Sequence, residues 1–187
     1  MTKIRDLRQI ILVTGPARSG KSELAETLAA DSGKSVIYVA TGEVNQADRE
    51  WQNRIQRHKN RRPPDWKTLE VLRDLSAVIR STDRSNCLLI DSLGTWTANL
   101  LEEEPTVWEQ TQQDLLASLH SAMADVIFVA EETGWGVVPA YPAGRLFRDR
   151  LGTLVRHIGA IADGVYLATG GYALNLTALG TRLPATK

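Results

Sequence analysis

The chain has 187 residues, and Lys+Arg and Asp+Glu are each 22, so no net field draws it to nucleic acid or to an anionic membrane. A single cysteine, Cys87, excludes an internal disulfide. The basic start is followed by an apolar run too short for a secretory signal, and no run approaches the roughly 18 residues of a bilayer span, which predicts one soluble, cytoplasmic domain over residues 1–187.

In chain order, "IILVT" (10–14) reads as the first strand and "KSELAETLAA" (21–30) as the helix behind it. "VIYVA" (36–40) is the second strand, and residues 43–61 carry a helical pattern. "CLLID" (87–91) follows, then a helix opened by "TVWE" from Thr106, a capping-box spacing placed just after Pro105. "VIFVA" (126–130) is the fourth strand. Phe147, Leu151, Leu154, Val155, Ile158 and Ala162 then recur at helical spacing. "VYLAT" (165–169) is the fifth strand, with a sixth near "ALNLTAL" (173–179). The strands are rich in β-branched residues and apolar on both alternating faces, as strands buried on both sides of a parallel sheet are. Alternation with helices predicts a doubly wound α/β fold with helices on both faces.

The segment "GPARSGKS" matches G-x-x-x-x-G-K-[ST] and stands between a strand and a helix, where that pattern must stand to act. It contributes Gly15, Pro16, Ala17, Arg18, Ser19, Gly20, Lys21 and Ser22 as candidate nucleotide-binding residues. Gly15 and Gly20 let the backbone curl so that successive N–H groups face phosphate oxygens, and the helix adds the positive end of its dipole. Lys21 would reach the β- and γ-phosphates, and the Ser22 hydroxyl would ligate Mg²⁺. Asp91 ends a central strand at the edge where open α/β sheets bind ligands, and would complete the metal shell. The alternative is an Asp that caps the next turn. "DSLG" (91–94) also fits the DxxG of switch GTPases, but no lysine is followed two residues on by Asp, so the guanine-reading N/T-K-x-D motif is missing.

"RIQRHKNRRPP" (54–64) sets His58 among Arg54, Arg57, Lys59, Arg61 and Arg62. On a helix, Ala47, Trp51, Ile55 and His58 fall within about an 80° arc at about 100° per residue. His58 therefore continues an apolar stripe, flanked by Arg54 and Arg61. Two readings stand side by side. One is a core histidine. The other is an imidazole kept neutral by its cationic neighbours and held beside a polyphosphate as a nucleophile.

Taken together, "ILVTGPARSGKS", "YVATGE", "RIQRHKNRRPPDWKTLE" and "LLIDSLGTWTANLL" resemble the bifunctional adenosylcobinamide kinase / adenosylcobinamide-phosphate guanylyltransferase family. The likeness continues through "VVP" and "GRLFRDRLG" to "ADGVYLATGG". It implies phosphorylation of a corrinoid hydroxyl by ATP or GTP, then transfer of GMP from GTP through a guanylylated histidine, here His58. It implies nucleotide contacts from the P-loop, from Thr41, Gly42 and Glu43, from Lys59, Asn60, Arg61 and Arg62, and from Glu70 and Asp91. It further implies a RecA-like sheet and a homotrimer. Arg80 and Arg84 are assigned to the solvent side.

The chain departs from the family pattern in two places. Where N-E-V-G-x-G-I-V-P is usual, "EETGWGVVP" puts Glu131 at the Asn and Thr133 at the Val. Where G-x-x-N-Q is usual, Val155 and Arg156 stand at the last two positions. Both departures bear on the corrinoid side and spare the nucleotide and histidine elements. Two other readings fit the P-loop: a kinase of another small metabolite with a structural His58, and a nucleotide-gated binding module without turnover.

Overall fold

A computed structural model describes residues 8–42 and 62–184 of the chain. Its elements are β1 (Ile10–Gly15), α1 (Lys21–Ala30), β2 (Ser35–Ala40), β3 (Lys67–Glu70), α2 (Leu75–Ser81), β4 (Asn86–Asp91), α3 (Leu93–Asn99) and α4 (Pro105–Ser121). They continue with β5 (Asp125–Glu131), α5 (Pro142–Ile161), β6 (Gly164–Thr169), β7 (Tyr172–Asn175) and α6 (Leu176–Leu179). The strands form one sheet in the order β3-β2-β4-β5-β1-β6-β7, parallel throughout except that β7 runs antiparallel to β6.

The alternation that marked these segments as strands buried on both faces has a direct structural counterpart. Leu12, Leu88, Ile90, Val126 and Phe128 point to one face and pack with Leu75, Trp96, Leu115, Leu151 and Leu154 from α2 to α5. Val13, Cys87, Leu89, Ile127 and Val129 point to the other and pack with Ala25 and Ala29 of α1. Both layers are fully desolvated at the centre, since Val13, Leu88, Leu89, Ile90, Phe128 and Val129 are wholly buried. At roughly 1.5–3 kcal/mol per buried large aliphatic side chain, these two layers hold the strand order in place.

Three sequence expectations change in detail. A strand at 67–70 was not foreseen: β3 is short, polar and exposed at every position, so it carries no burial signal and is a strand only because its backbone pairs with β2. The second difference is the helix expected from Thr106, which begins at Pro105 with Glu104 as its N-cap and no side-chain cap, so the Thr106–Glu109 capping box does not form. One forms instead at α3, where the Ser92 hydroxyl accepts from Thr95 N–H and the Thr95 side chain accepts from Ser92 N–H. Third, only the first half of "ALNLTAL" is strand, and its second half turns into α6 behind an Asn175 cap.

The apolar spacing on α5 is realised, with Leu151, Leu154 and Ile158 buried and Phe147 and Val155 against the same core. The buried Arg150 on that face is paired with backbone. It donates to the carbonyls of Leu100, Leu101 and Glu103 at 2.7–3.0 Å and lies 5.1 Å from the Trp108 ring, fixing α5 to the α3–α4 connection. Among the described residues, no helix is long and apolar enough to cross a membrane.

Candidate functional site

Parallel strands deliver their carboxyl ends to one edge, and here that edge collects the chemistry. In register across the sheet, Glu70 lies opposite Ala40, Ala40 opposite Asp91, and Glu131 opposite Gly15. At about 4.8 Å per strand, β5 sets Gly15 and Asp91 roughly 10 Å apart laterally, while Glu70 stands at the far end of the row.

The turn after β1 is built for close approach. A Cβ on Gly15 would lie 2.3 Å from the Ala168 carbonyl oxygen of β6 and 2.7 Å from Ser19 Oγ, so only glycine fits between these strands. Arg18 (φ 59°) and Gly20 (φ 87°) both adopt left-handed backbone, which curls residues 15–20 over the start of α1. Gly20 is the N-cap of α1 and offers no side-chain cap, so the first-turn N–H groups are left for an external acceptor. Ser19 Oγ is buried without a hydrogen-bond partner among the described residues. Lys21 is buried and donates from Nζ to the Pro16 carbonyl at 3.2 Å, which folds its ammonium over the turn. Ser22 is buried in the first turn of α1. Orphaned donors around a glycine-rich turn suit a polyphosphate.

Beside this turn lies a hydroxyl and carboxylate network that local sequence patterns do not disclose. The Thr41 hydroxyl donates to the Ser92 carbonyl at 2.7 Å, accepts from Ser92 N–H at 2.9 Å and meets the Thr95 hydroxyl. Glu131 accepts from the Ser92 hydroxyl at 2.7 Å and from Gly94 N–H at 3.0 Å. Asn99 donates to the carbonyls of Thr41 and Leu72 at 2.7 and 3.0 Å. The ends of β2, β4 and β5 are thereby joined around Asp91. The turn after Asp91 is capped by Ser92 rather than by Asp91 itself.

Tyr38 is a further residue at this edge that sequence reasoning missed. Its hydroxyl donates to Asp91 Oδ2 at 3.1 Å, and burial, then the neighbouring Asp91 carboxylate, raises its pKa well above the ordinary phenol range. The Arg62 guanidinium lies 3.4 Å from the Tyr38 ring centroid and donates to Thr68 Oγ1 at 3.2 Å. One tyrosine thus links the last residue of the basic cluster to the acid of β4. Read locally, "VIYVA" gave it only as a strand residue. Arg80 and Arg84 are exposed, as expected.

The structure therefore brings together Gly15, Pro16, Ala17, Arg18, Ser19, Gly20, Lys21, Ser22, Thr41, Gly42, Arg62 and Asp91 at one end of the sheet. Glu70 shares the edge but not the neighbourhood of the turn. Glu43, His58, Lys59, Asn60 and Arg61 lie outside the described residues. Val155 and Arg156 line a cavity of about 590 Å³ between α4, α5 and the C-terminal segment, together with His120 and His157. Among the described residues, no three His, Cys, Asp or Glu side chains cluster to hold a metal by themselves.

A strand–turn–helix of this geometry, with one strand between the P-loop strand and the strand ending on Asp91, defines a RecA-like P-loop α/β protein. Residues 11–176 match the profile of the cobinamide kinase / cobinamide phosphate guanyltransferase family, and the chain belongs to that family. A bifunctional adenosylcobalamin biosynthesis protein, CobP of Pseudomonas aeruginosa, is 40% identical over 167 residues, covering 88% of this chain and 95% of the relative. CobU of Salmonella typhimurium, described by the same function, is 35% identical over 182 residues, covering 89% of this chain and 99% of the relative. Among solved structures, an ATPase of the type III secretion system of pathogenic bacteria superposes with a TM-score of 0.54 at 15% identity, over 91% of this chain and 53% of its own. A protein of Pyrococcus horikoshii gives a TM-score of 0.54 at 6% identity, over 92% of this chain and 89% of its own. These two likenesses concern the fold alone.

Proposed function

We propose that this chain is an adenosylcobinamide kinase and adenosylcobinamide-phosphate guanylyltransferase of cobalamin biosynthesis, with both reactions carried out by one catalytic domain spanning residues 1–187. The observation that carries the reading is the uncapped, glycine-curled turn over α1, within a chain that matches the family from residue 11 to 176. We place the enzyme in the cytoplasm and take its working form to be a homotrimer. Its partners are a corrinoid and a nucleotide.

In the kinase step, backbone N–H groups of residues 15–20 and the Lys21 ammonium hold the β- and γ-phosphates of ATP or GTP. The corrinoid hydroxyl oxygen attacks the γ-phosphorus and gives up its proton to solvent, the bond to the β–γ bridging oxygen breaks, and the nucleoside diphosphate leaves with that electron pair. Positioning and charge stabilisation do most of the work. Ser22 and Asp91 would supply oxygen ligands to Mg²⁺, a cation that takes one or two protein ligands and fills its shell with phosphate and water, and the ion would offset phosphate charge there. Tyr38 keeps the Asp91 carboxylate aimed into the site by donating its hydroxyl proton to Oδ2.

In the transfer step, neutral His58 attacks the α-phosphorus of GTP. A phosphorus–nitrogen bond forms, the α–β bridging bond breaks, and pyrophosphate leaves with that electron pair. An oxygen of the corrinoid phosphate then attacks the same phosphorus and releases the imidazole. Lys59, Arg61 and Arg62 offset the phosphate charge during both displacements, with Asn60, Thr41, Gly42, Glu43 and Glu70 completing the nucleotide contacts. The Arg62–Tyr38 stack supports this role, since it anchors the end of the basic segment beside Asp91.

Intact-mass measurement after incubation with GTP and Mg²⁺ tests the reading. The wild type should gain one GMP in a linkage labile to acid and stable to base. His58→Ala should gain none, yet still phosphorylate adenosylcobinamide, while Lys21→Ala should lose both activities. An adduct on another residue, or one that persists in His58→Ala, refutes the covalent assignment.

A further inference from the structure

Residues 132–141, which join β5 to α5, carry four large apolar side chains in the open. Trp135 is 64% exposed, Val137 95%, Val138 59% and Tyr141 80%. The backbone beneath them is nevertheless pinned. Gly134 N–H donates to Glu132 Oε1 at 2.6 Å, and Arg145 of the first turn of α5 donates to the carbonyls of Pro139 and Ala140 at 3.0 and 2.7 Å. Gly144 lets Pro139 pack against α5 so closely that a Cβ there would lie 2.8 Å from the Pro139 Cβ. The loop is held in shape while its apolar groups remain uncovered.

Its location gives the exposure a purpose. Glu132 N–H donates to the Gly15 carbonyl at 2.9 Å, so the loop leaves the sheet directly beside the phosphate turn. An acceptor must present its reacting oxygen at that turn while the bulk of its body rests on protein nearby.

We propose that residues 132–141 form the platform for the corrin ring of the acceptor, with Trp135, Val137, Val138 and Tyr141 against its face; this rests on the function proposed above. A corrin is a broad ring with apolar faces and a periphery of uncharged amides. Residues 132–141 contain no Lys or Arg, which suits a neutral amide rim and would not suit a second anionic group. Indole and phenol rings match a flat macrocycle, and their polar edges reach amides. Because the loop is already pinned, binding does not pay to order it. Four side chains alone fall short of the about 800 Å² per partner that a stable subunit contact requires, so the homotrimer proposed above needs surface beyond this loop.

The test compares the wild type with Trp135→Ser/Tyr141→Ser and with Trp135→Phe. Adenosylcobinamide absorbs in the tryptophan emission band, so its binding is read by fluorescence quenching and, independently, by KM in the kinase assay. The double variant should bind adenosylcobinamide about tenfold or more weakly. Trp135→Phe should stay close to wild type, and GTP binding and the acceptor-independent GMP adduct should not change. Unaltered corrinoid affinity in the double variant overturns the platform. A change in sedimentation mass overturns it in favour of a second copy. If the wild type neither binds nor phosphorylates any corrinoid, the proposed function itself fails, and the platform with it.

Discussion

The geometry around Glu131 sets the cost of removing it. Both carboxylate oxygens are engaged, by the Ser92 hydroxyl and by Gly94 N–H, and Ser92 and Gly94 are buried. In Glu131→Ala the Gly94 N–H loses its acceptor, at a cost of about 1–3 kcal/mol for a buried unsatisfied donor. The Ser92 hydroxyl loses less, because Thr95 Oγ1 lies 3.3 Å away and can take over. Loss of a negative charge at the start of α3 adds about 0.3–1 kcal/mol. Relief from burying a carboxylate offsets part of the sum, leaving about 2 kcal/mol.

With a urea m-value of about 2 kcal/mol/M, that loss moves the denaturation midpoint down by about 1 M at unchanged m. Glu131→Gln keeps one oxygen acceptor but turns an amide N–H₂ toward the other donor, so it should recover about half of the loss. Urea titration followed by far-UV circular dichroism gives the ranking directly. A midpoint for Glu131→Ala within about 0.25 M of wild type, worth only about 0.5 kcal/mol at that m-value, would refute the argument. So would Glu131→Gln falling below Glu131→Ala.

Gly15→Ala must push its Cβ away from the Ala168 carbonyl of β6, which is backbone and cannot rotate aside, so it should destabilise by at least about 1–3 kcal/mol and weaken GTP binding in calorimetry. Gly152→Ala, with nothing within 4 Å of the new methyl and a helix interior around it, should instead stabilise by about 0.5–1 kcal/mol. Burial pushes the Cys87 thiol up to about 12, so native protein at pH 8 should resist a thiol-specific disulfide reagent that labels the unfolded chain promptly. Asp74 caps α2 by accepting from Ala77 N–H at 2.9 Å, and that bond, with one from Ser76, holds its pKa below the usual carboxylate value. A lowered folded pKa gives stability that is complete above the unfolded value of about 3.9 and is lost as pH falls through the folded one. Asp74→Ala should therefore cost about 1 kcal/mol at pH 7, with the difference from wild type closing in strong acid.

What the sequence disclosed and what it hid separate along a physical line. β1, β2, β4, β5 and β6 were legible because a strand buried on both faces must be apolar at consecutive positions, and each run ends within a residue of where its strand ends. α5 was legible because one stripe of it faces the core. β3 was not, because an exposed edge strand pairs through its backbone and asks little of its side chains. The P-loop was legible because its demands are local: the left-handed turn at Gly20 and the close approach at Gly15 fall within one short stretch of chain.

The rest of the site is distributed, and that is why it could not be read. Thr41, Ser92, Thr95 and Glu131 are ordinary residues in their own windows, and Tyr38 is one more aromatic in a strand. They become a network only because parallel strands end at one edge, which places Thr41 beside a residue 51 positions later in the chain. Glu131 makes the point most sharply. In its own window it is one acidic residue at the end of a strand, but in space it is half of a pair whose other half lies 37 residues earlier. A Cβ on Gly94 would come within 2.0 Å of Glu131 Oε2, so the longer carboxylate fits only over a residue without a side chain. Tolerance of Glu at 131 therefore depends on Gly at 94. Gly94→Ala should displace the Glu131 carboxylate and mimic Glu131→Ala, whereas in the Glu131→Ala background the added methyl should cost little. A double-mutant cycle measures that coupling, and additive effects of the two changes would show that the residues do not form a pair.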